Sequence, residues 1–197
     1  NVTIEDCTTA NVYSKSFRIN SAAVRDGASI QRNTIVDNGP HEIMCYGGDF
    51  SEVGSAIVCG ANNATINHNS LNRVAYHGIW FTGSNMVIDT NLIRRFGVWT
   101  NDCGGLYTFA LNAYGSITTY TNRVARNNFI DSGQAWVYGY RNPVAAEARA
   151  IYNDARAHNI LYQNNLINEC DMAAANNSPI GITHRGNTYI AHRGINF

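Results

Sequence analysis

The feature that most constrains this chain is a degenerate six-residue unit: an aliphatic residue, two variable positions, Asn, one variable position, another apolar residue. It occurs as "IQRNTI" (Ile30–Ile35), "INHNSL" (Ile66–Leu71), "IDTNLI" (Ile88–Ile93), "VARNNF" (Val124–Phe129) and "LYQNNL" (Leu161–Leu166). In that frame the asparagines are Asn33, Asn69, Asn91, Asn127 and Asn164, spaced 36, 22, 36 and 37 residues apart. A period near 22 residues that carries insertions of about 14 reproduces the series. Strand-like stretches recur between the units: "SAIVCG", "HGIWFTG", "GGLYTFA" and "RAIYNDA". They align on Ile57, Ile79, Leu106 and Ile151, and each period then holds two or three short strands separated by Gly, Asn and Ser turns.

A unit of this size cannot bury its own apolar face, so units must stack and share one core. The fold expected is an all-β parallel β-helix of about six to seven coils. An antiparallel sandwich or barrel also has many short strands, but it does not place one residue type at one phase of a repeat. At a tight turn asparagine tolerates unusual φ/ψ, and stacked copies can hydrogen-bond to one another. The asparagines are therefore read as structural. The 197 residues fit one domain, with inserted loops expected around 38–54, 110–121 and 139–148. Nothing reads as a capping element, and open strand edges at the ends would favour a homo-oligomer or a larger chain.

Composition excludes some functions. The net charge is zero and only 14% of residues are charged, so a basic surface for nucleic acid is not expected. No apolar run is long enough for a transmembrane helix. Five cysteines without a CxxC pair disfavour a zinc cluster and allow at most two disulfides.

The "IxxNxI" cores and "YHGIWF" resemble the right-handed parallel β-helix repeat proteins, the pectate-lyase-like group of carbohydrate-active enzymes and phage tailspikes. Within that group, "DCGGLYTF" followed by "RAIYNDARAHNILYQNNLI" is similar to secreted bacterial β-helix proteins assigned as glycoside hydrolases. The resemblance implies an extracellular or periplasmic protein that cleaves a polysaccharide or oligosaccharide with carboxylate catalysts.

Glycosidic hydrolysis normally uses two carboxyl groups. Asp102 and Glu147 both stand four residues before an aligned strand centre, so neighbouring rungs would bring them together; Asp154 lies three residues after its centre. These three are the catalytic candidates. Each also has a plain structural role open to it: a turn cap, a solvated loop acid, an Asx-turn. Candidate substrate-binding residues are Trp80, Tyr107, Trp136 and Tyr152, whose rings suit sugar C–H faces, and His77 and Arg149, which share one phase two residues before the centre. The plain alternative for the aromatics is to fill the core or ladder on one another. No resident metal or cofactor is expected for a hydrolase. A polysaccharide lyase acting on uronate glycans remains open through Arg149 and Arg141, with calcium as its cofactor, although Lys15 is the only lysine. A non-catalytic glycan-binding, tailspike-like module is the other alternative.

Overall fold

The computed structural model describes residues 1–19, 27–39, 54–99, 102–110, 117–133, 136–137, 140–141, 148–190 and 194; within 134–147 only backbone pairing is described. Three parallel sheets account for nearly all of it. Sheet A has seven strands: Val2–Glu5, Ala28–Gln31, Thr65–Asn67, Val87–Asp89, Arg123–Arg126, His158–Gln163 and Ile180–Arg185. Sheet B also has seven: Thr8–Val12, Thr34–Asn38, Ser70–Val74, Leu92–Phe96, Phe129–Asp131, Leu166–Asn168 and Thr188–Ile190. Sheet C has six: Phe17–Ile19, Ile57–Cys59, Ile79–Phe81, Cys103–Thr108, Ala148–Asn153 and Met172–Asn176. The chain visits the sheets in turn and climbs one rung per circuit, each inner strand of a sheet pairing with the strands one rung before and after it. It is a parallel β-helix, and no helix occurs among the described residues.

One inward row per sheet builds the core. Sheet A stacks Ile4, Ile30, Ile66, Ile88, Ala125, Tyr162 and His184. Sheet B stacks Thr9, Ile35, Leu71, Ile93, Ile130, Ile167 and Tyr189. Sheet C stacks Phe17, Ile57, Ile79, Leu106, Ile151 and Ala174, which is the alignment read from the sequence with one more rung at each end. Ile30, Ile35, Ile57, Ile66, Leu71, Ile79 and Ile88 are fully buried, and burial of an aliphatic side chain is worth about 1.5–3 kcal/mol.

The turn from sheet A to sheet B is nearly invariant. A residue with φ near +53° (Asp6, Arg32, His68, Thr90, Asn127, Asn164) precedes the residue that faces inward. From the second rung on, that inward residue is asparagine. Asn33, Asn69, Asn91, Asn128, Asn165 and Asn187 form a continuous ladder in which each Oδ1 accepts from the backbone N–H and the Nδ2 of the preceding rung. The second amide hydrogen reaches back to a carbonyl, as Asn91 does to Ile66. In the first rung Cys7 stands in the asparagine position, donating its backbone N–H to Asn33 Oδ1 and its thiol to the Glu5 carbonyl.

This corrects the sequence frame at two rungs. Asn128 and Asn165 are the ladder members, not Asn127 and Asn164, and the true spacings are 36, 22, 37, 37 and 22. Both sites are Asn-Asn pairs flanked by doubled apolar residues, so either frame satisfies the pattern. The first asparagine of each pair takes the left-handed turn and is exposed, while the second is buried. Asn187 extends the ladder by one rung without the apolar residues that defined the motif.

The connections into and out of sheet C vary in length. Residues 40–53, 97–102 and 134–147 lead into it, and 109–122 lead away from a strand of it. The inserted loops expected around 38–54, 110–121 and 139–148 fall largely outside the described residues. Trp136–Val137 and Tyr140–Arg141 form a short antiparallel pair within the third. Cys7, Cys59, Cys103 and Cys170 are free thiols, with Cys103 buried in the core.

Candidate functional site

The outward face of sheet C differs from those of the other two sheets. Sheet A faces outward with polar residues such as Asp89, paired with Arg126 at 2.8 Å. Sheet C instead presents the row Val58, Trp80, Tyr107, Tyr152 and Ala175, which is buried although it lies outside the bore. Phe109 and Met172 pack against it. Strand alternation explains the split: Ile79, Leu106 and Ile151 face the core, so their successors Trp80, Tyr107 and Tyr152 face out.

A second outward row runs three residues earlier, two before the strand centres, where His77, Gly104 and Arg149 share one phase as the sequence indicated for His77 and Arg149. A Cβ on Gly104 would come within 3.1 Å of the Cβ atoms of both Tyr107 and Tyr152, so glycine is what lets the two tyrosines close up. Gly105 faces the other way, where a Cβ would meet Ile130 at 2.6 Å. The two glycines therefore serve opposite faces of one strand.

The rings form a continuous assembly. His77 lies flat on Tyr107, with centroids 3.9 Å apart and planes at 8°, and contacts Tyr76 at 3.8 Å. Trp80 meets Tyr107 edge-on at 5.3 Å, and Tyr107 meets Tyr152 at 5.3 Å. The Arg149 guanidinium sits over the Tyr152 ring at 4.0 Å. Trp80, Tyr107 and Tyr152 thus pack on one another, as aromatic neighbours on adjacent rungs can.

Two carboxylates border the assembly. Asp102 precedes the Cys103–Thr108 strand, with φ +55°, and its Oδ1 accepts from Arg149 at 2.5 Å. Its side chain is 56% exposed against 10% for Arg149, so the acid reaches solvent while the base is held on the protein. Asp154 follows the Ala148–Asn153 strand. Its Oδ2 accepts from the Tyr107 hydroxyl at 3.2 Å, and its Oδ1 accepts from the Ala155 N–H and the Asn177 amide, each at 2.8 Å. Burial pushes the Tyr152 hydroxyl well above its ordinary range, and the charges of Asp102 and Asp154 add to this against the opposing effect of Arg149. Burial raises the Tyr76 hydroxyl likewise, again with both acids contributing.

Of the residues singled out from sequence, Asp102, Asp154, His77, Trp80, Tyr107, Arg149 and Tyr152 thus lie on one face. Glu147 lies outside the described residues, as does the side chain of Trp136. His77 is wholly buried. Tyr76, Gly104, Phe109 and Asn177 belong to the same cluster and were not singled out, although "YHGIWF" and "DCGGLYTF" contain the first three. A cavity of about 390 Å³ lined by Asn176, Pro179, Gly181, Ile182 and His184 lies at the last rung and shares no residue with the cluster. Among the described residues, no group of three or more His, Cys, Asp or Glu is placed to hold a metal, and no helix is long and apolar enough to cross a membrane.

No protein-family model, no curated protein and no solved structure matches this chain.

Proposed function

We propose that the outward face of sheet C is a glycan-cleaving site and that the chain is a glycoside hydrolase acting through Asp102 and Asp154. One observation carries the reading: two carboxylates, seven sequence positions apart in strand phase, are both tied into a single aromatic and arginine assembly on one face. Hydrolysis breaks the glycosidic C–O bond as one carboxyl group protonates the departing oxygen. The other supports attack at the anomeric carbon, directly or through water, whose hydroxyl ends there. Asp102 suits the second role, because it is exposed and carries the Arg149 guanidinium against one oxygen only. Sugar C–H faces would meet the rim of the assembly, where Phe109 is partly exposed. Variable connections at both ends of the sheet C strands support the placement, since sites tend to sit where a rigid scaffold carries changeable loops. Secretion and a polysaccharide or oligosaccharide partner belong to the same proposal.

A specific observation favours a second reading. As placed, both carboxylates act as hydrogen-bond acceptors, Asp102 from Arg149 and Asp154 from three donors. Arg149 beside Tyr152 and Asp102 also suits elimination on a uronate glycan. There a base removes the proton α to the carboxylate and the glycosidic oxygen leaves as a C=C bond forms. Product chemistry separates the readings. Incubation with neutral and uronate polysaccharides is expected to release reducing ends without short-ultraviolet absorbance. Products absorbing there would establish the lyase instead. Glycan binding without turnover would leave a binding module.

A further inference from the structure

We propose that His77 is a positioning residue that holds the Tyr107 hydroxyl on Asp154, rather than a group that meets substrate. Its significance for catalysis rests on the proposed role of Asp154; the contact itself does not.

The sequence places His77 two residues before a strand centre, in phase with Arg149, where a substrate contact was expected. The structure buries it completely. Its Nδ1 accepts the Gly104 N–H at 2.9 Å, so that nitrogen carries no proton and the neutral ring bears its hydrogen on Nε2. Burial, reinforced by the nearby Arg149 charge, keeps the imidazole neutral. The ring is fixed in three ways: the Gly104 amide sets its tautomer and rotation, Tyr76 covers it, and Trp80 meets its edge with centroids 5.7 Å apart.

A plate fixed like this transmits its position to whatever lies flat against it. That is Tyr107, parallel to within 8°. Trp80 and Tyr152 meet Tyr107 at steep angles, so they border the ring without fixing its plane as a stacked partner does. The Tyr107 hydroxyl then meets Asp154 across 47 residues of sequence, joining the end of one sheet C rung to the next. Gly104 completes the device. It donates the amide that orients His77, and its missing side chain leaves room for Tyr107 and Tyr152. A charged imidazolium would lose the Gly104 bond, so the plate works only while neutral.

The test reads the Tyr107 hydroxyl proton by NMR in the full chain. A hydroxyl held on a carboxylate inside a packed cluster exchanges slowly with water, and its signal is assigned by its absence in Tyr107→Phe. His77→Ala is expected to speed that exchange by at least about tenfold, whereas His77→Phe, which keeps a flat ring against Tyr107, preserves slow exchange. Val58→Ala, a truncation on the same outward row, serves as the control for general loosening and is expected to leave the exchange unchanged. Unchanged exchange in His77→Ala would overturn the proposal, as would equal acceleration in Val58→Ala. If His77→Ala does not fold, fast exchange in His77→Phe would overturn it and slow exchange would support it. None of these readings needs a substrate, so failure here is separable from failure of the hydrolase reading.

Discussion

Asn127 and Asn128 are adjacent, identical in chemistry, and do different work. Asn128 lies inside the ladder: its Oδ1 receives two hydrogen bonds from Asn91 and its amide donates to the Ile88 carbonyl. Asn128→Ala leaves these three buried groups unpaired, at about 3 kcal/mol in total. Asn127 is exposed at φ +53°, so Asn127→Ala is expected to cost only about 1 kcal/mol for the left-handed backbone. Urea unfolding of the two variants compares them directly, and equal losses would mean the ladder runs through the wrong residue. Sequence could not separate them, because the difference lies in which residue of a pair turns inward. His77 gives a second residue-scale expectation. Its folded pKa is depressed below the ordinary value of 6.5, so the folded state binds fewer protons than the unfolded chain. The stability it contributes is complete above pH 6.5 and is lost as the pH falls below that value toward the folded pKa. The slope is at most about 1.4 kcal/mol per pH unit for one group. His158 and His184, also lowered by burial, add to the acid sensitivity. His77→Phe is expected to make the unfolding free energy less steep between pH 7.5 and 5.5; an unchanged slope would mean the imidazole is not held neutral.

At the level of the strand, Cys103–Thr108 shows how much was legible. Alignment on Leu106 placed it correctly between Ile79 and Ile151, because inward aliphatic residues keep phase through every insertion. The same phase placed His77 and Arg149 together. What phase could not supply was the partner of Asp102. Arg149, in phase with Gly104, reaches Asp102 through side-chain length, whereas Glu147, the neighbour expected from register, lies outside the described residues. Nor does register say whether an outward aromatic is open or packed, since that depends on what covers the face. Gly104 and Gly105 are set by packing. Gly105→Ala would push a methyl within 2.6 Å of Ile130 and 2.9 Å of the Ala150 carbonyl, and the backbone contact cannot give way by rotation. The expected loss is about 1–3 kcal/mol in chemical denaturation. A neutral Gly105→Ala would show that the strand can shift outward.

At the scale of the whole molecule, the described residues form seven rungs that repeat one turn and the inward rows of sheets A and B, with six strands in sheet C and six asparagines in the ladder, so each rung depends mainly on its neighbours. Backbone amides of the middle rungs, around Ile66 and Ile88, are therefore expected to exchange hydrogen more slowly than those of Val2–Glu5 or Thr188–Ile190. Uniform protection would contradict nearest-neighbour stacking. The regular A-to-B turn and the irregular connections around sheet C divide the molecule into a scaffold side and a variable side, and the carboxylates lie on the latter. The most direct measurement of whether that face cleaves glycans is the rate of reducing-end release by the wild-type chain, Asp102→Asn and Asp154→Asn, with folding verified by circular dichroism. The expected result is turnover by the wild type and a loss of at least about a hundredfold in each folded variant. Full activity in both variants would contradict it.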